Sequence, residues 1–323
     1  MLRRLPLFVA ALLLALACEQ PTPDQTTRTV TDDLGRTVHI DQPVERVVSL
    51  APNLTELVYA AGAGDRLVAG TPSDDFPPAV DTLARVSALP IDFEAIAAKQ
   101  PDLVLATDQV NPPGDTETFE ALDVPVYFFS FSSLPDVFDA LRTTGSLLST
   151  EERAADSARA LEQTVDALRA RTDALNGSPA PRVLVLIGDD TLYSFGKDSY
   201  VHTLVELAGG QSVTASLDTK APTLSEEYVL REKPDVIVGA WGSGYDADRL
   251  LRLHPTWDVV PALRNGRVYS LPPSVLLRPG PRLVTGARAL AAFLHPTHFS
   301  PPAGLSDRDS GAAATTTIQT GGS

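Results

Sequence analysis

The sequence predicts an α/β protein of two lobes, each with a central, mostly parallel sheet flanked by helices, joined by one long backbone helix. Three observations lead to this fold class: one long amphipathic helix near the middle of the chain, short apolar runs alternating with helical stretches on both sides of it, and one sequence unit that occurs once on each side. A chain of 323 residues, 43% of them apolar, is also long enough for about two domains.

The linking helix is predicted over residues 149–177. Small and apolar side chains recur along it at spacings of four and three residues, which is typical of a helix with one narrow buried stripe. The stripe comprises Ala154, Ala158, Leu161, Val165, Leu168, Thr172 and Leu175. Ser149 and Glu152 form a capping-box pattern at the start, and Asn176 with Gly177 is a common helix end. At ~1.5 Å per residue the helix measures about 40 Å, which is enough to bridge two lobes.

Continuous apolar runs predict the buried strands of both lobes. Runs of this type, alternating with helical stretches, indicate parallel sheets covered on both faces. In the first lobe, residues 29–148, they are 47–50, 67–69, 103–105 and 126–129, after a hairpin at 28–40; in the second lobe, residues 178–298, they are 183–187, 236–238 and 268–271.

One sequence unit occurs twice, 133 residues apart. A glutamate, Glu94 or Glu227, stands seven residues before a Pro-Asp pair, and an apolar run follows directly. The unit predicts a short helix, a proline stop and a buried strand. The glutamates have two interpretations: carboxylates favoured at a helix start by the helix dipole, or a symmetric pair that docks onto arginines of a partner protein. The pattern alone leaves both open.

Charge excludes one class of partner. The formal net charge is −15, and removal of a leader containing Arg3 and Arg4 makes the chain more acidic still. Such a surface repels phosphate backbones, so nucleic acid is not an expected partner. An anionic membrane is expected to be approached through a lipid tether instead.

The two ends of the chain are predicted to lie outside the folded lobes. Residues 1–17 read as a signal peptide, and the stretch ending at Cys18 resembles a bacterial lipobox, in which the cysteine becomes the lipidated first residue. Residues 18–28 are then a lipid-anchored tether. The alternative is an ordinary signal peptide with an incidental cysteine. Residues 299–323 have no periodicity and predict a disordered tail.

The combined motifs resemble a known family. Their order and spacing from residue 29 to 296 are similar to those of the cobalamin and ferric-complex substrate-binding proteins of ABC importers. The motifs are 46–56, 62–68, the paired glutamate units, Gly209 with Gly210, and 265–269. The resemblance implies a class III periplasmic-binding-protein-like fold, with two lobes on one rigid helix, a ligand in the cleft between them and little hinge motion.

The resemblance also implies a function. It predicts an extracytoplasmic, membrane-anchored lipoprotein that captures cobalamin or a related metal chelate, such as a ferric siderophore or haem, and delivers it as a monomer to an ABC importer permease. In this family the paired glutamates contact permease arginines, and the matching positions here are Glu94 and Glu227. Cobalamin-binding relatives carry aromatic residues shortly before each glutamate, where this chain has Ala88 and Ala221.

The ligand site is expected at the carboxyl ends of the strands, where open α/β sheets bind ligands. The candidate ligand-binding residues are Pro52, Asn53, Ser73, Phe76, Tyr193, Trp241, Tyr245 and Arg278, with 107–109 and Phe131 as further lining positions. Trp241 has the alternative of capping the core of its lobe. Arg278 is expected either to meet an anionic ligand arm or to be a surface cation held between prolines. Asp74 and Asp75 are interpreted as solvated loop charges.

Catalytic and metal-binding patterns are sparse. His295 and His298 form the only close histidine pair, without a cysteine or acidic triad, so no metal site and no cofactor are predicted. The rival hypothesis is an extracytoplasmic α/β hydrolase that uses Ser243 or Ser49 as nucleophile. That enzyme would need a serine and a histidine within hydrogen-bond reach in a cleft, whereas a binding protein would need neither.

Overall fold

The computed structural model describes residues 26–175, 179–197, 199–241, 246–302 and 305. The predicted signal peptide, Cys18 and most of the predicted tail lie outside these ranges. The described chain contains two parallel sheets, each at the centre of one lobe, and one long helix between them. The predicted fold class is confirmed. Within these residues no helix combines the length and apolar character that a membrane span requires.

The first lobe is built on a five-stranded parallel sheet, preceded by an antiparallel hairpin. The hairpin strands are β1 Thr26–Thr31 and β2 Thr37–Gln42, and the sheet strands are β3 Val47–Ser49, β4 Leu67–Gly70, β5 Ala84–Arg85, β6 Leu103–Thr107 and β7 Val126–Phe129. The helices are α1 Pro52–Ala60, α2 Phe93–Ala97, α3 Thr116–Ala121 and α4 Leu134–Leu147. The strand order is β5-β4-β3-β6-β7, with the first strand of the sheet at its centre.

The second lobe repeats this plan with four parallel strands in the order β11-β10-β8-β9. The strands are β8 Arg182–Leu186, β9 Gln211–Ser212, β10 Val236–Gly239 and β11 Val268–Ser270. The helices are α6 Tyr200–Leu207, α7 Glu226–Glu232, α8 Ala247–Leu253, α9 Pro261–Arg264, α10 Pro273–Leu276 and α11 Leu283–Leu294. The two-residue strands β5 and β9 are not predicted from the sequence, because they are too short to form an apolar run.

Both sheets are buried on both faces, as the continuous apolar runs predict. Successive residues of one strand point to opposite faces, so Val47 packs into one hydrophobic cluster and Val48 into another. In the second lobe Val236 and Ile237 divide in the same way. Helices therefore cover both sides of each sheet, and loops at the strand ends remain for ligand contact.

The long helix, α5, spans Glu151–Asp173 and begins two residues later than predicted. The capping-box prediction for Ser149 is wrong. Ser149 has a left-handed backbone with φ 51°, directly after Leu148, the C-terminal cap of α4, so it ends the preceding helix instead of starting the next. Thr150 is the N-cap residue, and its side chain makes no capping bond. The predicted end at Asn176 and Gly177 lies outside the described residues.

The predicted stripe of α5 is the joint between the lobes. Ala154, Ala158, Val165, Leu168 and Thr172 are buried, and the two remaining stripe residues are partly buried. The helix packs on α1 and α4 of the first lobe and on α6 and α11 of the second. One hydrophobic cluster runs through it from the first lobe into the second, so the lobes share a continuous core. A shared, close-packed core favours a fixed arrangement of the lobes.

The repeated Pro-Asp unit has a structural role that is the same in both lobes. Asp102 accepts hydrogen bonds at 2.8 Å from the backbone N–H groups of Glu45 and Arg46, just before β3. Asp235 accepts one at 2.9 Å from Arg182, the first residue of β8. Each aspartate thus anchors the neighbouring central strand.

An arginine completes this unit in each lobe. The Arg46 Nε donates to the Gln100 carbonyl at 2.9 Å, and the Arg182 Nη2 donates to the Glu232 carbonyl at 2.8 Å. The Gln100 carbonyl lies just after α2 and the Glu232 carbonyl at the last residue of α7, where the chain leaves acceptors unsatisfied. The sequence repeat is therefore a repeat of structure, in which an arginine and an aspartate join a helix end to the sheet.

Candidate functional site

A cleft with two compartments lies where the lobes meet. The first compartment has a volume of about 530 Å³ and is formed mainly by first-lobe residues that follow β3, β4, β5 and β6. Its walls are Leu50, Pro52, Asn53, Thr71, Pro72, Ser73, Ser87, Ala88, Leu89, Gln109, Val110, Leu277, Arg278 and Pro279. Segments after four parallel strands thus converge on one edge of the sheet, the usual place for a ligand.

The second compartment has a volume of about 450 Å³ and is shared between the lobes. Its walls are Asp108, Gln109, Ser130, Phe131, Ser132, Phe195, Ser199, Tyr200, Lys220, Ala221 and Leu277. Gln109 and Leu277 line both compartments, which are therefore adjacent parts of the cleft. Three aromatic rings with several hydroxyls and two opposite charges give it a mixed apolar and polar wall, which suits a broad ring system with polar arms.

The segment 277–282 connects the second lobe to the first across this cleft. The Asn53 Nδ2 donates to the Pro279 carbonyl at 3.1 Å, and the Tyr200 hydroxyl donates to the Leu277 carbonyl at 2.9 Å. Gly280 lies directly against Asn53, where a Cβ would come within 3.3 Å of the asparagine Cβ. The segment is thus held from both lobes, and it forms a fixed wall of the cleft.

Four charged residues join the lobes beside the first compartment, and we call them the interlobe ion cluster: Glu56, Asp75, Arg278 and Arg282. Arg282 binds both carboxylate oxygens of Glu56, at 2.7 and 3.0 Å, and also reaches Asp75 at 2.9 Å. Arg278 donates to Asp75 at 2.6 Å. Every one of these contacts pairs a first-lobe carboxylate with a second-lobe arginine, so the cluster resists separation of the lobes.

The carboxyls of the cluster differ in their electrostatics. The Glu56 side chain is only 3% exposed, and this burial raises its pKa although Arg282 acts in the opposite direction. Partial burial alone would raise the pKa of Asp75, but the hydrogen bonds and charges of Arg278 and Arg282 together hold it below its ordinary value. Asp75 is therefore a firm anion at neutral pH, and Glu56 depends on Arg282 to stay charged.

A model of the periplasmic binding protein family matches residues 47–275. The chain belongs to the periplasmic binding protein family. A Vitamin B12-binding protein of Vibrio parahaemolyticus is 30% identical over 244 residues, which is 75% of this chain and 86% of that protein. YvrC of Bacillus subtilis, described as an uncharacterized ABC transporter substrate-binding lipoprotein, is 24% identical over 91% of this chain and 96% of its own. The crystal structure of a periplasmic heme-binding protein from Pseudomonas aeruginosa has a TM-score of 0.73 and 26% identity, covering 84% of this chain and 99% of that one.

Membership of this family confirms the resemblance that the sequence motifs indicated. The matched region runs from the first strand of the first parallel sheet to α10 and includes both parallel sheets with α5 between them. This chain is thus an extracytoplasmic binding protein, and the cleft is its candidate ligand site.

The two glutamates of the repeated unit lie at matching places in this periplasmic binding protein. Glu94 is in the first turn of α2 and Glu227 in the first turn of α7, and both are exposed. Asp92 and Ser225 cap these helices by accepting backbone N–H bonds at 2.9 and 3.2 Å. Neither glutamate forms an ion pair with any described residue. The helix-start interpretation is correct in its geometry, and the exposed positions also leave both carboxylates accessible to a partner.

The segments before these helices border the cleft. Ala88 lines the first compartment and Ala221 the second, six residues before Glu94 and Glu227 respectively. Each glutamate is thus close along the chain to the cleft rim of its own lobe. Hydrogen bonds from its own backbone N–H and from the Ser225 hydroxyl lower the pKa of Glu227, so it is an anion at neutral pH.

Four of the eight predicted ligand residues line the first compartment: Pro52, Asn53, Ser73 and Arg278. Of the further positions, Gln109 lines both compartments and Phe131 the second. Arg278 is turned toward Asp75 and also donates to the Ser73 carbonyl at 3.1 Å. Its guanidinium therefore holds the first-lobe loop, a contact that neither sequence interpretation includes.

The other predicted ligand residues lie elsewhere. Phe76 stacks under the Arg282 guanidinium at 4.7 Å, and Tyr193 bridges to Thr223 at the edge of the second lobe. Trp241 packs against the outer hydrophobic cluster of its lobe, which agrees with the interpretation that it caps the core. Tyr245 lies outside the described residues.

The interpretation of Asp74 as a solvated charge is wrong. Asp74 is buried and accepts hydrogen bonds at 2.7 Å from the hydroxyls of Thr55 and Thr71. It ties α1 to the loop after β4, and a carboxylate with two such donors does not need water. Asp75, by contrast, is half-exposed and ion-paired.

Sequence reasoning missed most of the second compartment. Phe195, Ser199, Tyr200 and Lys220 line it, but they stand well after β8 or before α7 and are not adjacent to a strand end. Phe195 falls in the connection from β8 to α6 and Tyr200 is the first residue of α6, so a search for aromatic residues from the end of β8 to the start of α6 would have found both. No pattern in the sequence around Lys220 indicates that it lines the cleft.

A larger cavity, of about 800 Å³, lies at the other side of the second lobe. It is bordered by the end of α5, the segment before β8 and residues 206–210 and 294–298. This is the amino-terminal edge of the sheet, opposite to the edge at which α/β proteins bind ligands. The interlobe cleft is therefore the better candidate despite its smaller compartments.

The hydrolase hypothesis has no support in this site. Ser49 is fully buried and donates to the Ala51 carbonyl at 3.0 Å, and Ser243 lies outside the described residues. The His295 ring is turned toward the Gly209 carbonyl at 3.3 Å. Over the described parts of the chain, no three His, Cys, Asp or Glu side chains cluster as a metal site would require.

The end of the second lobe extends beyond its predicted boundary at residue 298. Phe299 is buried and lies 4.2 Å from the Arg171 guanidinium. Arg171 also donates to the His298 carbonyl at 2.8 Å. The start of the segment predicted as a tail is thus packed against α5.

Proposed function

We propose that this protein captures cobalamin or a related metal chelate, such as haem or a ferric siderophore, and delivers it to the permease of an ABC importer. The observation that carries the proposal is the two-compartment cleft at the carboxyl edge of the first-lobe sheet, with aromatic and polar walls from both lobes. The functions named for the Vibrio and Pseudomonas proteins support it.

The cleft fits this ligand class by shape and chemistry. A macrocyclic chelate is broad and partly apolar, with amide or carboxylate arms at its edge. The aromatic lining residues Phe131, Phe195 and Tyr200 suit the ring, and the hydroxyls and charges of the same compartment suit the arms. Because the interlobe ion cluster and α5 hold the lobes together, we expect the ligand to enter a largely formed site with little hinge motion.

Delivery is proposed to use Glu94 and Glu227. The two carboxylates are exposed, one on each lobe, at equivalent starts of equivalent helices. Two exposed ion pairs with permease arginines give reversible, salt-sensitive docking, which a protein that shuttles between ligand and permease requires. The protein is proposed to act as a monomer.

The ligand class is tested by thermal shift of the trimmed soluble protein against cobalamin, cobinamide, haem and several ferric siderophores. A ligand at 100 times its dissociation constant adds about 2.7 kcal/mol of apparent stability, which raises the melting temperature measurably. We expect at least one member of the panel to do so. If none does at this excess, the proposed ligand class is wrong.

Membrane attachment is proposed to occur through lipidated Cys18. The lipobox-like sequence before it and the lipoprotein description of YvrC support this anchor. We expect Cys18→Ser to move the full-length protein from the membrane fraction to the soluble extracytoplasmic fraction, with unchanged ligand affinity. A variant that stays in the membrane fraction would exclude a lipid on this cysteine. The binding assay on the same sample is the control for folding.

A further inference from the structure

The second compartment contains one cation that is not bonded within the described chain. Its other polar side chains are already engaged: the Gln109 amide donates to the Phe131 carbonyl at 2.9 Å, Tyr200 donates to Leu277, and Asp108 accepts from the Ser130 hydroxyl at 2.7 Å. The hydroxyls of Ser132 and Ser199 are bonded to Asp136 and to the Val201 N–H. Lys220 is exposed and forms no ion pair with any described residue.

Nearby carboxylates do not neutralise Lys220. Asp218, two residues away, pairs with Lys197 instead. Asp108, on the opposite lobe, is turned toward Ser130. The backbone at Lys220 is held, because its carbonyl accepts from the Gly196 N–H at 3.2 Å. A fixed backbone and a free ammonium place one positive charge at the wall of the cleft, in a protein whose net charge is −15.

A ligand that fills this compartment removes water from the ammonium. An ammonium has three donors and no acceptor, and losing its water without a new partner is unfavourable. A carboxylate on the ligand would replace that water with a charge-assisted hydrogen bond, whereas an ester would offer only a weak acceptor. Phe131, Phe195 and Tyr200 line the same compartment as Lys220 and favour a flat apolar body attached to that carboxylate.

We infer that Lys220 is the residue that receives an acidic arm of the ligand, and that the ligand is a flat ring chelate with at least one free carboxylate. The inference deepens the proposed function and rests on it. Arg278, the cation that the sequence nominates, is poorly suited to this role. Its guanidinium already binds Asp75 and the Ser73 carbonyl, so a ligand carboxylate would have to displace both.

The test compares haem with haem dimethyl ester, which has the same ring but no free carboxylate. Both are titrated spectroscopically, from the same mixed solvent, into the wild-type protein and Lys220→Gln. We expect the wild type to bind the acid up to about fivefold more tightly than the ester if the ion pair stays exposed to solvent. The ratio of affinities should be larger if the bound ring excludes water from the pair. Lys220→Gln should lose this preference by weakening acid binding alone, with ester binding unchanged.

Two control variants accompany the test. Lys99→Gln removes a lysine at the end of α2, outside the cleft lining, and should keep the wild-type preference. Arg278→Gln tests the competing cation: because Arg278 lines the first compartment, this variant is compared by its acid-to-ester affinity ratio and not by its affinity, and the ratio should equal that of the wild type. Lys220 is exposed, so its variant should retain the wild-type circular dichroism spectrum and unliganded melting temperature.

The outcomes separate the inference from the proposed function. If Lys220→Gln weakens acid and ester equally, or if Arg278→Gln is the variant that removes the preference, the inference is wrong and the proposed function stands. A wild-type protein that binds cobalamin in the thermal-shift panel but neither haem form also overturns the inference alone. A protein that binds no member of the panel overturns both.

Discussion

Uptake of the ligand is expected to fall to the level of a strain without this protein when Glu94 and Glu227 are both replaced by Arg, while the ligand affinity of the purified variant stays unchanged. Each carboxylate is exposed in the first turn of its helix and has no ion-pair partner among the described residues. Reversal removes both of the proposed attractive contacts and also sets like charges against the arginines proposed on the permease, which disfavours docking strongly. Each single reversal should give a partial loss.

The effect should depend on position and not on charge alone. Glu120 at the end of α3 and Asp248 at the start of α8 are also exposed, one on each lobe, so the pair Glu120→Arg and Asp248→Arg makes the same change in net charge. This control should transport normally. Equal loss of uptake in both double variants would contradict docking at the repeated glutamates. Loss of ligand binding in the first variant would instead assign the glutamates to the site.

Replacing Arg282 by Met is expected to cost about 3 kcal/mol of unfolding free energy at neutral pH, the lower end of the range for breaking a buried ion pair. The Arg282 side chain is 19% exposed, which places it at that lower end, and Glu56 is 3% exposed. Without Arg282, Glu56 must either remain an unpaired buried anion or take up a proton. The contact of Arg282 with the Phe76 ring is lost as well.

The loss should grow as pH rises from about 4 to 7. Burial raises the pKa of Glu56 in the folded protein above that of a glutamate in the unfolded chain, which is about 4.3. Above this pH the unfolded protein holds Glu56 charged at no cost, whereas the folded protein does not, so the charge opposes folding. Removing Arg282 raises the pKa of Glu56 further and widens the pH range over which its charge lowers the unfolding free energy. Below that pH the carboxyl is protonated in both states, and wild type and variant should differ least. Denaturant titrations at several pH values measure the difference.

Two further variants identify the cause. Arg288→Met removes an exposed arginine from α11, the helix that follows Arg282, and should change stability little. Adding Glu56→Gln to Arg282→Met should recover most of the loss at pH 7, because it removes the unpaired buried charge. If Arg282→Met destabilises equally at pH 4 and 7, lost packing and not the charge of Glu56 is responsible.

Local sequence patterns were sufficient to predict much of the fold. The mostly apolar runs at 47–50, 103–105 and 236–238 identified buried parallel strands, because a strand covered on both faces is apolar at nearly every position. The stripe from Ala154 to Thr172 identified α5, because its burial repeats with the helical period. The capping pattern at Ser149 failed, since a local motif cannot show that the preceding helix ends at that residue.

The site was predictable only in part. Pro52, Asn53 and Ser73 follow strands directly, and the carboxyl-edge rule placed them in the cleft. Phe195 and Lys220 reach the cleft from long connections, whose course depends on packing between the lobes. Nothing near Asp74 in the sequence shows that Thr55 donates to it, because that contact is made across the fold.

The sequence by itself thus determined the two α/β lobes, the helix between them and the pair of exposed glutamates, because these depend on periodicity and on a repeated local unit. Only the tertiary structure decided which side chains face the ligand and which arginines are already occupied. Arg278 and Lys220 look equally free in the sequence, yet one is paired with a carboxylate 203 residues away and the other has no ion-pair partner in the described chain. Pairing between distant residues is set by how the lobes pack, and no short stretch of sequence contains that information.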